Sequence, residues 1–403
     1  MEGEPLAVVG TNPPHEGVSP QAVRALQEST AHIKYIVIDE FSMLGCEKLW
    51  QLAHICQQIR PRAGSHFGGF SVILCGDQGQ LACVAQQPLF VKPPDATAPA
   101  ATVAGHAIFK DFVNVVWLRA NHRQANDLPL CAALAGLKNG PLTAEHHAMF
   151  MTRVPGVAGS TVTEQQWAAA RAFTNTYWSA GTTAEVTEIN KAYLRSLTDA
   201  GAGMAVIRAV QSRAAARMPA SSFAGVASVL TLVDGCAVQV RRNVCTTAGV
   251  VNGASGTIVG VLYDAAAAAA AAPRVVFVNL PSYRGTRFPH LPAEWPGTVV
   301  PLQPVSLSVG TGTARRTRLQ FPLSIDAACT IHKLQGATIT GRTLCVQIGE
   351  REFSPGLSYV ALSRTTLLAE LVIASSVSHA RRLGLGVGVR VRVRVRVRVW
   401  VRG

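Results

Sequence analysis

Two carboxylates and an amide follow short apolar runs in the first quarter of the chain. Asp39 and Glu40 come directly after the β-branched run Tyr35–Ile38, and Gln80 follows a second apolar run, Phe70–Cys75. An Asp in this position could hold Mg²⁺ against the phosphates of a nucleotide, and a neighbouring Glu could accept a proton from an attacking water. The amide could sense the terminal phosphate or orient that water. These residue types suggest nucleotide hydrolysis, although an ordinary solvated strand end has the same composition.

The elements that must position these residues are a sheet and a helix. Short β-branched runs predict strands buried on both faces of a parallel sheet, and ligands of such sheets bind at the carboxyl edge. Between the two runs, Leu49, Leu52, Cys56 and Ile59 recur at three- and four-residue spacing and predict an amphipathic helix. A further apolar run, Val113–Leu118, predicts another buried strand. Strands with polar ends and a helix between them describe half of a nucleotide-hydrolysing sheet.

The pattern of predicted secondary structure changes twice along the rest of the chain. Residues 85–104 and 141–165 are predicted to be loops, and from Val229 short strands punctuated by glycine suggest a small barrel-like insertion. The α/β pattern returns at Phe321. Predicted helices are Pro20–Ser29 capped by Ser19, Asp127–Leu137, Thr183–Leu197 and one around Tyr359–Arg364. Predicted strands are Phe173–Trp178, Val229–Val233, Ala237–Val240, Thr257–Leu262, Val275–Leu280 and Leu371–Ile373.

Composition limits the class of protein. The 403 residues are 48% hydrophobic, which is enough for two or three domains with their own cores, and no apolar run is long enough to span a membrane. The N-terminus lacks the features of a signal peptide, and the nine cysteines are scattered without a CxxC pair, so we expect an intracellular protein with reduced thiols. The net charge of +14 suggests a polyanionic partner, or simply a basic surface. Part of that charge lies in a Val-Arg low-complexity tail.

Five blocks occur in a fixed order along the chain. They are IDEFSM (38–43), GDQGQL (76–81), LRANHR (118–123), TIHKLQGATI (330–339) and YVALSR (359–364). In this order and spacing they resemble the motifs of Pif/RecD-type superfamily-one DNA helicases, and the resemblance covers roughly residues 18–375. It implies an α/β fold with two RecA-like (P-loop NTPase) motor domains, the first incomplete, and a small SH3-like β insertion in the second. The implied domains are residues 1–125, residues 126–228 with 321–378, the insertion at 229–320, and the tail at 379–403.

The resemblance also implies roles for individual residues. The residues with implied catalytic roles are Glu40, Gln80, Arg123 and Arg364. Those implied to contact the nucleotide are Asp39, Asp77, Gln335 and Gly336, and Asp39 is also implied to bind Mg²⁺. Those implied to contact DNA are Thr330, His332, Lys333 and His66. The two arginines resemble cations that reach the triphosphate and stabilise charge in the transition state. Phe67 and Phe70 could stack on bases beside His66, although core packing is the favoured interpretation for Phe70.

The function that this resemblance implies is an ATP-dependent DNA helicase. Such enzymes use ATP and Mg²⁺ to move 5′ to 3′ along single-stranded DNA and to open forks, and they serve DNA repair, recombination, and telomere or mitochondrial genome maintenance. We therefore expect a nuclear or mitochondrial protein, with no membrane association and no obligate protein partner, acting as a monomer.

The sequence departs from this family at the phosphate-binding loop. No GxxxxGK[ST] occurs in the 403 residues, and in the family the strand that carries this motif lies between the equivalents of Phe70–Cys75 and Val113–Leu118. We therefore expect an N-terminally incomplete first domain with little ATP turnover, unless Leu6–Val9 fills the gap. GDQGQLACV also lacks the usual Pro pair. The alternatives are a non-catalytic single-stranded-DNA-binding protein of helicase ancestry, or a helicase segment of a mobile element.

Overall fold

The computed structural model describes residues 19–94, 97–140, 142–263, 273–348 and 354–374. The helices in these ranges are α1 Pro20–Ser29, α2 Cys46–Ile59, α3 Ala100–Lys110, α4 Leu128–Asn139, α5 Ala144–Met151, α6 Glu164–Arg171, α7 Thr183–Asp199, α8 Arg213–Ala216, α9 Ile331–Leu334 and α10 Leu357–Leu362. The strands are β1 Tyr35–Ile38, β2 Ser71–Leu74, β3 Thr176–Ala180, β4 Met204–Arg208, β5 Val210–Gln211, β6 Val229–Val233, β7 Ala237–Val240, β8 Ser255–Leu262, β9 Val275–Asn279, β10 Val299–Leu302, β11 Val305–Val309, β12 Arg316–Gln320, β13 Leu323–Ile325, β14 Ala328–Thr330, β15 Thr343–Gln347 and β16 Leu371–Ile373. Within these ranges, no helix is long and apolar enough to span a lipid bilayer.

The first part of the fold contains a two-stranded parallel sheet. β1 and β2 pair in register from Tyr35 opposite Ser71 to Ile38 opposite Leu74. The predicted amphipathic helix is confirmed as α2, whose apolar side packs on α3 and on the sheet. α1 is also confirmed, with the Ser19 hydroxyl accepting a hydrogen bond from the backbone N–H of Ala22. The two strands therefore end side by side, with their polar residues at one edge.

Two predictions for this part are wrong. β1 is not buried on both faces, since Tyr35 is 56% and Val37 is 62% exposed. Val113–Leu118 is not a strand: the segment pairs with no strand among the described residues, and the Leu118 side chain is 92% exposed. A β-branched run becomes a buried strand only when it has a ladder partner and a covered face, and the described residues provide neither here. Leu6–Val9 lies outside the described residues.

The second part is built on a four-stranded parallel sheet in the order β14-β3-β15-β16. α4, α9 and α10 pack in the core on one face, and α6 and α7 contribute apolar side chains to the other. The sheet confirms the predicted α/β fold. The strand predicted at Phe173–Trp178 begins instead at Thr176, because Phe173 and Asn175 adopt left-handed backbone conformations (φ 58° and 45°) that a strand cannot contain.

A β-rich region lies between these strands in sequence. Its largest sheet is antiparallel in the order β10-β9-β8-β7-β13, accompanied by the pair β4-β6 and the three-stranded sheet β11-β12-β5. The predicted bounds of β6 and β7 are confirmed, while β8 begins two residues earlier, at Ser255, and β9 ends one residue earlier, at Asn279. β4 and β13 lie outside residues 229–320, so the sheets draw strands from both sides of that segment. The alanine run Ala265–Ala272 and the Val-Arg tail lie outside the described residues.

Both predicted loops contain helices. α3 begins inside the first loop at Ala100, and α5 lies inside the second. Thr143 accepts a hydrogen bond from the backbone N–H of His146 at the start of α5, and Thr163 and Gln166 form a reciprocal capping box at the start of α6. These threonine caps were the sequence signals for helices in the second loop.

Arg318 connects the strands of the β region to the segment before β6. Its side chain is fully buried on β12 and its guanidinium carbon lies 4.1 Å from the centroid of the Phe223 ring. The guanidinium donates to one side-chain oxygen and three backbone carbonyls: Gln211 Oε1 and Val226 O at 2.7 Å, Ala215 O at 2.9 Å and Met218 O at 3.2 Å. Five N–H groups in a planar fork make Arg the side chain that can satisfy these acceptors together.

We predict that Arg318→Met lowers the free energy of unfolding by about 3 kcal/mol, because buried carbonyls lose their donor. Chemical denaturation measures this change. Arg315→Met, at an exposed position just before the same strand, is the matched control and should change stability by less than about 0.5 kcal/mol. Equal effects of the two substitutions would contradict the assignment.

Candidate active site

The carboxylates that follow β1 lie at the carboxyl edge of the small sheet. Asp39 is exposed, and its Oδ1 accepts a hydrogen bond from the backbone N–H of Glu40 at 2.9 Å. Glu40 has a left-handed backbone conformation, with φ at 51°. A non-glycine residue in this region costs of the order of 1 kcal/mol and persists only where the surroundings require it. The strain indicates that the fold holds the Glu40 side chain in a specific direction.

That direction is towards the block around Gln335. Gln335 Nε2 donates hydrogen bonds to Glu40 Oε2 at 3.0 Å and to Ser42 Oγ at 3.2 Å. Gly336 follows with φ at 79°, and Glu40 Oε1 lies 3.8 Å from the position that a Cβ would take there. The structure therefore brings together three of the predicted site residues, Glu40, Gln335 and Gly336, from opposite ends of the sequence.

Arg364 lies at the end of α10 and is 1% exposed. Its Nε donates to Val360 O at 2.9 Å and its Nη2 to Ser363 Oγ at 2.6 Å, while Nη1 has no hydrogen-bond acceptor among the described residues. Burial, and then the charge of Arg123, lower the pKa of Arg364 to about 10; Tyr359, Glu40 and Asp77 act in the opposite direction. The group remains a cation at neutral pH. A buried cation with an unused N–H favours an anionic ligand.

Arg123 reaches the same region from the segment before α4. Its Nε donates to Thr338 Oγ1 at 2.9 Å and its Nη1 to Ser363 O at 3.2 Å. The adjacent Gln124 is buried, and its Nε2 donates to Ser363 O at 3.1 Å and to Thr365 O at 2.7 Å. Sequence reasoning missed Gln124, for which the one available signal was its position directly after the LRANHR block. Together these bonds fix the end of α10 against the segment that carries Arg123.

Gln80 Oε1 and Gln335 Oε1 are among the other buried polar atoms that have no hydrogen-bond partner in the described part of the chain. Most buried polar atoms in native structures are paired, so unpaired ones call for an explanation. The unused Arg364 N–H is a cationic donor that a phosphate oxygen would satisfy, and the two amide oxygens are acceptors for bound water. The residues present therefore fit a nucleotide phosphate.

The donor set also fits Mg²⁺ bound through the nucleotide. No group of three or more His, Cys, Asp or Glu side chains in the described ranges could form a metal cage. Mg²⁺ is usually held by one or two carboxylates together with substrate phosphates and water. The exposed Asp39 carboxylate at the sheet edge matches that arrangement.

Asp77 is held by the protein itself. Its Oδ1 lies 2.7 Å from Lys138 Nζ and accepts from the backbone N–H of Gly79 at 2.9 Å, and its Oδ2 accepts from the Tyr359 hydroxyl at 2.9 Å. The predicted cofactor-binding residue is therefore surrounded by three donors from the chain. Lys138 was not singled out from the sequence, where it is one cation in the last turn of a helix.

The residues predicted to contact DNA lie in two places. Thr330 is the residue before α9, which is a single helical turn, and His332 and Lys333 lie within that turn. Lys333 is on the surface, yet nearby protein atoms desolvate its ammonium group and lower its pKa, and Arg241 lowers it further. Burial also lowers the pKa of His332. Lys333 and Arg241 are neighbouring cations, and together they favour an anionic partner at this position.

His66 lies in the first part of the fold, where its Nε2 is 2.7 Å from Asp111 Oδ2. The suggestion that Phe67 stacks on a base is wrong, because the ring is buried and packs edge-on against Phe112. Phe70 is buried in the same core, as favoured from the sequence, and Arg60 lies over its ring at 4.4 Å.

Comparison with known proteins supports one family. A family profile described as PIF1-like helicase matches residues 17–129. The ATP-dependent DNA helicase PIF1 of Danio rerio is 26% identical over 347 residues, which cover 84% of this chain and 46% of the relative. The Mus musculus protein of the same name is 27% identical over 341 residues, covering 83% and 44%. The chain thus spans less than half the length of these curated relatives.

Solved structures share the fold. The Pif1 helicase from Candida albicans superposes with a TM-score of 0.63 at 21% identity, covering 88% of this chain and 75% of that one. Bacteroides Pif1 bound to ssDNA superposes with a TM-score of 0.61 at 19% identity, covering 94% and 78%. At these identities the likeness shows the fold, which confirms the predicted RecA-like motor architecture. The profile, the relatives and the fold agree, and together they support a likeness to Pif1-type helicases of superfamily one.

Proposed function

We propose that this chain is motor machinery of an ATP-dependent DNA helicase, with the nucleotide at the junction of Glu40, Gln335 and Arg364. The observation that carries the proposal is the buried Arg364 guanidinium, whose Nη1 has no acceptor among the described residues and whose pKa is raised by the charge of Glu40 against the larger effect of burial. A fully buried cation facing a strained carboxylate suits the γ-phosphate of a nucleotide better than it suits structural support.

In this proposal the roles divide by position. Asp39 holds Mg²⁺ at the exposed edge, and the bound MgATP supplies the reactive phosphoanhydride. Glu40 accepts the proton of the attacking water through one carboxylate oxygen, while Gln335 holds the other oxygen in place. Gln80 senses the terminal phosphate. Arg123 and Arg364 stabilise the charge that develops during transfer.

Single-stranded DNA is the proposed nucleic-acid ligand, bound near α9. Thr330, His332 and Lys333 face it in this proposal, with Arg241 adding positive charge beside Lys333. His66 would contact DNA from the first part of the fold. We extend the proposal to movement in the 5′-to-3′ direction at DNA forks, as a monomer, in repair, recombination and telomere maintenance in the nucleus or the mitochondrion.

The same proposal divides the chain into domains. Residues 1–125 belong to the first motor domain, and residues 126–228 with 321–378 to the second. The segment 229–320 is an insertion whose strands pair with β4 and β13, and residues 379–403 form a tail.

Turnover by the 403-residue chain is proposed to be slow. No GxxxxGK[ST] occurs in the sequence, so the backbone cradle and lysine that neutralise the β- and γ-phosphates in P-loop enzymes are not supplied by that motif. This observation also favours the second candidate function, a non-catalytic protein that binds single-stranded DNA. The two candidates differ in whether nucleotide binds at the Glu40 junction.

We predict that the chain hydrolyses MgATP at or near background, with or without single-stranded DNA, and that Glu40→Gln removes what turnover remains. A general base contributes about 10²–10⁴-fold to rate, so residual turnover should fall to the blank. A coupled phosphate-release assay measures both proteins.

Glu145→Gln, at an exposed carboxylate in the first turn of α5, is the matched control and should leave the rate unchanged. Strong DNA-stimulated turnover that Glu40→Gln abolishes would confirm the site and refute the proposed impairment. Turnover that survives Glu40→Gln would refute the role of Glu40.

We predict that Lys333→Ala weakens binding of a fluorescent oligothymidylate several-fold and reduces the slope of log affinity against log salt by about 0.7, as expected for one lost phosphate contact on a single strand. Anisotropy titrations at several salt concentrations measure this slope. The control is Lys191→Ala on α7, which removes the same charge from an exposed pair with Glu188. Equal losses in both variants would mean that only net charge matters and that α9 is not the DNA contact.

A further inference from the structure

Asp77 connects three segments of the chain through one carboxylate. It follows β2, and its half-buried side chain accepts from Gly79 N, Lys138 Nζ and the Tyr359 hydroxyl. Two of these donors belong to other elements, since Lys138 lies in the last turn of α4 and Tyr359 lies in α10. Both carboxylate oxygens of Asp77 therefore contact donors from the protein itself.

The loop of residues 76–80, which contains Asp77, is closely packed on both sides. A Cβ at Gly79 would lie 2.6 Å from Lys138 Cγ, so the alkyl stem of the lysine rests against that glycine. A Cβ at Gly356, just before α10, would lie 2.6 Å from Gly79 O. Gly356 also has φ at 87°. The loop 76–80 therefore sits between the end of α4 and the start of α10, too close for other residues at either glycine.

The loop 76–80 and α10 each contain or adjoin a residue with a proposed catalytic role. The loop 76–80 contains Gln80, and α10 ends next to Arg364. α10 has six residues, so a shift of Tyr359 moves Arg364 with it. Burial and the Asp77 carboxylate raise the pKa of Tyr359, which keeps its hydroxyl protonated as a donor at neutral pH.

We propose that Asp77, Lys138 and Tyr359 are positioning residues that fix Arg364 and Gln80 relative to Glu40, and that Asp77 serves this contact rather than binding the cofactor. We call the three side chains the Asp77 clasp. The inference rests on the proposed function for the ligand that Arg364 meets. The contact itself joins the two parallel-sheet parts of the fold whether or not a nucleotide binds.

The first test separates binding of the terminal phosphate from binding of the rest of the nucleotide. Tyr359→Phe removes the hydroxyl and keeps the ring, and Lys138→Met removes the charge and keeps most of the stem. Each should weaken binding of MgADP–aluminium fluoride at least tenfold and change MgADP affinity less than twofold, because the clasp positions groups at the terminal phosphate. Lys138→Arg should retain most of the affinity. Equal weakening of both ligands would mean a general structural role and would overturn the proposal.

The second test needs no nucleotide. Hydrogen exchange of the ligand-free protein should be at least tenfold faster in residues 76–82 of Tyr359→Phe and of Lys138→Met, with exchange in β3 unchanged. Lys191→Met on α7 is the control and should change neither segment. If the wild-type chain binds neither nucleotide, the proposed function fails and exchange alone decides the clasp. Unchanged exchange at residues 76–82 in both variants would overturn it.

Discussion

The hydrogen bond from Gln335 to Glu40 spans 295 positions in the sequence, and the candidate site exists because the fold closes that distance. Glu40 reaches the bond through a left-handed backbone, at the end of a strand that has a partner on one side in the described residues. Gln335 follows a one-turn helix at the edge of the four-stranded sheet. Neither part of the fold contains a complete site, so the chemistry depends on how the two parts are held together.

That junction is built from cations and amides, with few ion pairs. Arg123 and Gln124 bind the backbone at the end of α10, and Arg364 binds α10 itself. Carbonyl acceptors bring no negative charge to the guanidinium groups, and burial, followed by the charge of Arg123, lowers the pKa of Arg364. The resulting positive potential is costly without a ligand and favourable with a phosphate. The construction therefore favours an anion at this junction.

The sequence predicted much of this arrangement, and its failures have physical causes. The family resemblance implied that Glu40 and Gln335 both act at the nucleotide, and in the structure their side chains share a hydrogen bond. Val229–Val233 and Leu371–Ile373 have strand bounds as predicted. The strand predicted at Val113–Leu118 was wrong because strand formation depends on a neighbouring strand as well as on β-branched residues. The base stacking suggested for Phe67 was wrong because an aromatic ring that could stack on a base can equally pack in a core. Lys138 was missed because its partner Asp77 is 61 positions away, and no periodicity connects them.

Arg364 is proposed to bind the terminal phosphate of a nucleotide at this junction. Calorimetric titration of MgADP–aluminium fluoride into the wild-type chain and into Arg364→Gln tests it most directly, with circular dichroism showing that both proteins are folded. Hydrogen bonds to charged groups are worth about 1.5–3 kcal/mol, so the substitution should weaken binding by roughly 10- to 100-fold. Equal affinity of the two proteins, or no binding by the wild type, would contradict the account.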